Sequence, residues 1–254
     1  MRRSKLLAVL FWFFLWEGAA ILFRDSIVFV GPFSVLKSLV SQARTLVFWL
    51  SLGNSMCRIM GGFLISFAAA LLLGSLAFWH SWLKILLEPA VLLLKSVPVA
   101  SFVVLLLILM GSKNLSTAIV ILTSFPMLYT GVLSGLSQTD PKLLEMAQVF
   151  GMNPLKECLF LYRPALLPFL TGSSQTALGM SWKSGTAAEI IGVPAHSIGE
   201  QLYMSKIYLN TASLFAWTTM IILLSLVFEK LFLYLLKKAA GKTWEDSYAD
   251  PKPL

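Results

Sequence analysis

"LLEMAQVFGMNPLKE", residues 143–157, interrupts some of the most apolar sequence in the chain, and its reading decides what kind of molecule surrounds it. Just upstream, Asp140 is placed to cap a helix that has Pro141 at its first position. Leu143, Leu144, Ala147 and Phe150 then recur at helical spacing. Gly151 predicts the end of that short helix, because a residue free of Cβ can turn sharply there. Asn153, followed by Pro154, predicts the cap of a second helix. The plain reading is an amphipathic loop helix lying at a headgroup surface, and the flanking sequence bears on whether it is more than that.

The flanks define the solvent. Of 254 residues 57% are hydrophobic and 13% charged, about half the charged share of a soluble domain, and the mean hydropathy is +0.81. This is the composition of an integral membrane protein. The formal net charge of +8 therefore belongs first to membrane topology and lipid rather than to nucleic acid.

A hydrocarbon layer about 30 Å thick needs ~20 apolar residues of helix. Leu6 to Phe23, Ile59 to Trp79, Ile85 to Met110, Leu115 to Leu136, Pro164 to Ile191 and Ala212 to Leu236 supply such stretches. The expectation is an all-α polytopic membrane protein with about six transmembrane helices. Alternating ten-residue strands, the mark of a β-barrel, are absent. The third stretch carries Glu88, Pro89, Lys95 and Pro98, which predict a late start or a kink. The chain divides into an N-terminal helix with an external amphipathic connection over 1–50, a core over 51–240 with the loop at 140–163, and a tail over 241–254.

Lys and Arg collect on the cytoplasmic side of short loops. With the N-terminus inside, that side holds Arg2, Arg3, Lys5, Lys84, Lys142, Lys156, Arg163, Lys237, Lys238, Lys242 and Lys252, against Arg24, Lys37, Arg44, Arg58, Lys113 and Lys206 outside. Both termini, and the opening stretch, are expected in the cytoplasm. The start "MRRSKLLAVLFWFFLWEGAA" shares features with a cleavable signal peptide, but Glu17 and the apolar run to Phe23 favour a retained helix.

Catalytic patterns are thin. "GKT" at Gly241 to Thr243 lacks the glycine five residues earlier that a phosphate-binding loop needs. His80 and His196 fall on opposite sides of the membrane, as do Cys57 and Cys158, so neither pair predicts a metal site or a disulfide. No cofactor is expected. The fifth stretch is different: "TGSSQTALGMSWKSGTAAE" is too polar for a lipid-facing helix, and small residues at this density permit close packing or line a cavity. Gln175, Lys183, Ser184 and Glu189 are its candidates for a translocation pathway. For the two charges, structural pairing or snorkelling is the alternative.

Read through to "YRPALLPFL", the opening segment resembles the cytoplasmic EAA loop of permease subunits of bacterial ABC importers. Glu145, Ala147, Gly151, Pro164 and Pro168 match that pattern, and Met146 departs from it. "SVPVASFVVLLLILMGSKN", "SFPMLYTGVLSGL" and "MSWKSGTAAEIIGVPAHSIGEQL" extend the resemblance over about 200 residues, the last most like the sulfonate, taurine and nitrate branch. The resemblance implies a type I permease fold in the bacterial cytoplasmic membrane, working as a homodimer beside separate ABC ATPase subunits and an extracytoplasmic solute-binding protein. The permease itself is then not an enzyme. Leu144, Glu145, Ala147, Phe150 and Gly151 become the coupling contact, with Val149 adding to the apolar part and Lys142 to the polar edge. The implied solute is a sulfonate, taurine, a nitrate-like anion or a compound like a thiamine precursor. An ion-gradient-driven secondary transporter is the alternative reading.

Overall fold

Prolines and capping side chains cut the chain into helices. The computed structural model describes residues 2–22 and 30–240. Among them run α1 (Arg2–Leu22), α2 (Pro32–Ala43), α3 (Leu46–Trp79), α4 (Ser81–Ser96), α5 (Val99–Met110), α6 (Leu115–Ser137), α7 (Pro141–Val149), α8 (Pro154–Glu157), a π-helical turn (Cys158–Tyr162), α9 (Arg163–Gly192), α10 (Ile198–Ile207) and α11 (Thr211–Ala240). No strand occurs among the described residues. The expected tail, with "GKT" and Lys242, and Arg24 of the first connection lie outside the described residues.

The amphipathic connection forms α2 as expected, but the next helix starts far earlier than Ile59. Thr45 accepts a hydrogen bond from the Phe48 amide and launches α3 at Leu46. The polar stretch around Ser51 and Ser55 reads as a loop in sequence, yet both serines are buried inside the bundle. Arg58 is consequently a mid-helix residue and not a loop charge, which removes it from the outer side of the charge tally. Pro98 acts as anticipated and more sharply. It holds Val97 extended, as a residue before proline prefers, and α4 and α5 meet there at 104°.

By length and apolarity α3, α6 and α11 can each cross a membrane, and the bent α4–α5 pair gives a fourth when its two helices are counted as one span. The other two expected spans differ in kind. In α1 the described apolar part is only Phe11–Leu22. At 30 residues, α9 is about 45 Å long and fully long enough, but it is polar. It can be so because it runs through the centre of the bundle, packed most extensively on α6 and also on α3, α5, α10 and α11.

Close approach of α3, α6 and α9 depends on small residues. A Cβ on Gly62 would stand 3.0 Å from the Val120 side chain, one on Gly185 2.9 Å from it, and one on Gly74 2.8 Å from Val132. Hydroxyls bridge the same seams: Ser124 to Ser181 at 2.7 Å, Thr123 to Ser184 at 3.0 Å, and Ser116 to the Gly185 carbonyl at 3.1 Å. Lipid offers helices no hydrophobic drive to associate, so such contacts carry the packing. Phe63, Phe67, Phe228 and Phe232 lock α11 onto α3. The bundle has two ends. At one, Phe48, Leu52, Ile198, Leu202 and Trp217 gather α3, α10 and α11; at the other, Leu136, Leu144, Tyr162 and Leu170 gather α6, α7 and α9.

Candidate functional site

At the α7 end the short helix is built from its own sequence. Asp140 accepts from the Lys142 amide at 2.9 Å with Pro141 at the first turn. The far end closes with Gly151 at φ +61°, the Met152 amide donating to the Ala147 carbonyl at 2.9 Å and the Gly151 amide to the Gln148 carbonyl at 3.1 Å. That is the paired-bond glycine termination of a helix. Asn153 then accepts from the Leu155 amide at 3.0 Å and starts α8. The local expectations hold at each of these positions.

The facing of α7 is less simple than its periodicity. Ala147 is fully buried and Leu144 packs into the Val132, Leu136, Tyr162 and Leu170 cluster, so both point into this chain. Glu145 lies exposed on the opposite side. Val149 is 84% and Phe150 79% exposed, with Leu143, Met146 and Leu155 also outward. One apolar face therefore seats α7 against the Val132, Leu136, Tyr162 and Leu170 cluster, and a second stands free. Tyr162 anchors the return, its ring 5.7 Å from Phe78 and 5.4 Å from Trp79. Arg163 donates to the Ala239 carbonyl at the end of α11.

The four candidates on α9 are not brought together. Ser184 is buried against Thr123 of α6. Gln175 donates to Glu229 of α11 at 2.9 Å. Lys183 is exposed and forms no hydrogen bond or ion pair among the described residues. It shares a helix face with Gly172, Thr176 and Ala187, also exposed. That face runs down to a groove of about 550 Å³ between α6 and α9, where Gly172 meets Thr130, Ser134 and Phe169.

Glu189 lies at the α10 end with no exposed surface. Ser55 donates to it at 2.6 Å, the Gly199 amide at 3.3 Å, and Arg58 stands 3.6 Å away. Ser55 in turn accepts from the Ile198 amide at 2.8 Å. A Cβ on Gly199 would fall onto Glu189, so only glycine lets the first turn of α10 sit on the carboxylate. Sequence reasoning missed Arg58 and Ser55 here. The available signal was that a charge inside an apolar helix requires a partner. His80 follows α3 while His196 precedes α10, Cys57 and Cys158 are free, and no group of metal-ligating side chains forms among the described residues.

Known proteins resemble this chain in sequence and fold. A "Probable ABC transporter permease protein" of Brucella melitensis is 24% identical over 207 residues, 81% of this chain and 84% of its own. The taurine transport system permease protein TauC of Escherichia coli is 25% identical over 223 residues, 84% of this chain and 80% of its own. Among solved structures, an inward-facing MetNI methionine ABC transporter superposes with a TM-score of 0.59 at 15% identity, covering 78% of this chain and 96% of that one, a likeness of fold. These relatives speak for ABC permeases and against the ion-gradient alternative. The pattern that defines the binding-protein-dependent transport system inner membrane components matches residues 61–240, from the middle of α3 to the end of α11, and the chain belongs to that family.

Proposed function

We propose that this chain is the permease subunit of an ATP-driven importer for a small sulfonate-like solute, with α7 as the joint to a separate ATPase and an extracytoplasmic protein delivering the solute. The observation that carries the reading is the double facing of α7: Leu144 and Ala147 are seated against this chain while Val149 and Phe150 stand free. A partner that moves the free face would act on α6 and α9 through the cluster that seats Leu144. Membership in a binding-protein-dependent family supports the partners, and the relative named for taurine supports the solute class.

The exposed face of α9 supports a second copy or a water-filled path beside it. A lysine left against lipid near the bilayer centre costs about 2.5–3.5 kcal/mol on insertion scales, so Lys183 belongs against protein or water. We assign Lys183 to the pathway of a homodimer, with Gln175 about two turns away beside α11 as a further candidate, Ser184 packing the helix onto α6, and Glu189 holding it in place. The test is ATP-dependent uptake of taurine into proteoliposomes holding the permease, its ATPase and the binding protein. Uptake is expected to need ATP, and Lys183→Gln to lower it several-fold with assembly and basal ATP hydrolysis intact. Uptake driven by an ion gradient without ATP sinks the proposal.

A further inference from the structure

The polar side of α4 faces a groove beside α6. Lys84, Glu88, Val91 and Lys95 recur at four, three and four residues, one helical face, and they line a groove of about 230 Å³ against Tyr129, Thr130 and Leu133 of α6. Leu92 adds to the groove's apolar edge, and the other side of α4 presents Trp82, Ile85, Leu86 and Leu93, all exposed. This is the facing of a helix that shows its apolar side to lipid and turns its charges to an open groove beside α6, where Lys84, Glu88 and Lys95 stay exposed.

Those charges are unspent. The only ion pair among the described residues is Arg58 with Glu189, so neither lysine closes on Glu88 although Lys84 stands four residues from it. Thr130 is satisfied by the Pro126 and Met127 carbonyls. Tyr129, by contrast, is 3% exposed and its hydroxyl has no partner among the described residues. The groove thus offers ammonium donors, one neutral hydroxyl and one carboxylate acceptor. A simple anion would confront Glu88, and a simple cation would confront the lysines.

From this arrangement we infer that the α4–α6 groove binds a compact zwitterion, its ammonium on Glu88 and its oxyanion on Lys95, with the Tyr129 hydroxyl as a further donor. Glu88 and Lys95 are about 10 Å apart along the axis, and both line the groove. The volume exceeds the roughly 150 Å³ cavity that takes benzene, which suits an amine and an oxyanion joined by two carbons. That chemistry occurs in a free aminosulfonate and in a phosphoethanolamine headgroup. The inference rests on the import reading only where the occupant is the free solute.

Two arms separate the sources, using the full-length chain in nanodiscs. In phosphatidylglycerol discs, labelled taurine is expected to bind saturably, with ethanesulfonate and ethylamine competing at least about tenfold more weakly. Glu88→Gln and Lys95→Gln should each weaken binding about tenfold, one charge-assisted contact's worth, and Tyr129→Phe by a smaller factor. In mixed-lipid discs, native mass spectrometry reads whether phosphatidylethanolamine is retained over phosphatidylglycerol and lost in the same variants. Taurine binding identifies the solute as occupant, and lipid retention alone identifies the headgroup. Neither, or either one unchanged in both charge variants, overturns the site. Glu88 and Lys95 are exposed, so their variants are expected to melt with wild type, and unchanged melting excludes misfolding as the cause. Failed ATP-driven uptake would leave this binding result standing, and the reverse holds.

Discussion

Glu189 shows how one residue fixes a whole end of the bundle. Its carboxylate gathers Ser55 and Arg58 from α3 and the Gly199 amide from α10, so removing it strands a charge and two donors together. Breaking a buried pair from one side costs about 3–5 kcal/mol, and each kcal/mol moves the melting temperature of a chain this size by roughly 2–4 °C. Glu189→Ala should therefore melt at least about 6 °C below wild type in detergent. Replacing both partners, Glu189→Gln with Arg58→Met, should recover part of that loss because no unpaired charge is left. A single variant melting with wild type would show that the knot is not structural.

At the scale of one element, α7 separates what a sequence can say from what it cannot. Its caps were legible because Asp140, Gly151 and Asn153 act on backbone within a few residues. Its facing was not, since Leu143, Leu144, Met146, Ala147, Val149 and Phe150 are all apolar and only packing decides which of them turn inward. The start of α3 was hidden for a related reason: Ser51 and Ser55 look like loop polarity until the helices that bury them are present. The Ser55 to Glu189 bond joins residues 134 positions apart, beyond any local pattern. The resolved facing gives a contrast to measure. Val149→Glu and Phe150→Glu, on the free face, should leave the permease folded and reduce ATPase co-purification at least tenfold, the effect of losing about 1.4 kcal/mol of contact. Ala147→Trp, on the seated face, should lower expression and melting first. Equal ATPase retention in the two outward variants would remove α7 as the joint.

For the whole molecule the decisive question is which end faces ATP. The structure makes the two ends unambiguous as ends: Lys84, Lys142, Lys156, Arg163, Lys237 and Lys238 fall at or near the α7 end, while Lys37, Arg44, Lys113 and Lys206 belong to the other. Arg58 drops out, being committed to Glu189 inside the bundle, and its removal sharpens the bias toward an α7 end in the cytoplasm. Impermeant maleimide on intact cells can test this once Cys57 and Cys158, both exposed and free, are replaced by serine. Lys156 is a better probe position than Asn153, whose side chain caps α8 and would be lost on substitution. Lys206→Cys should label directly from outside, and Lys156→Cys only after the cells are permeabilised. Labelling of Lys156→Cys in intact cells would set α7 on the side without ATP. The helix bundle would survive that result, because its packing is indifferent to orientation, but α7 would then have no ATPase to meet.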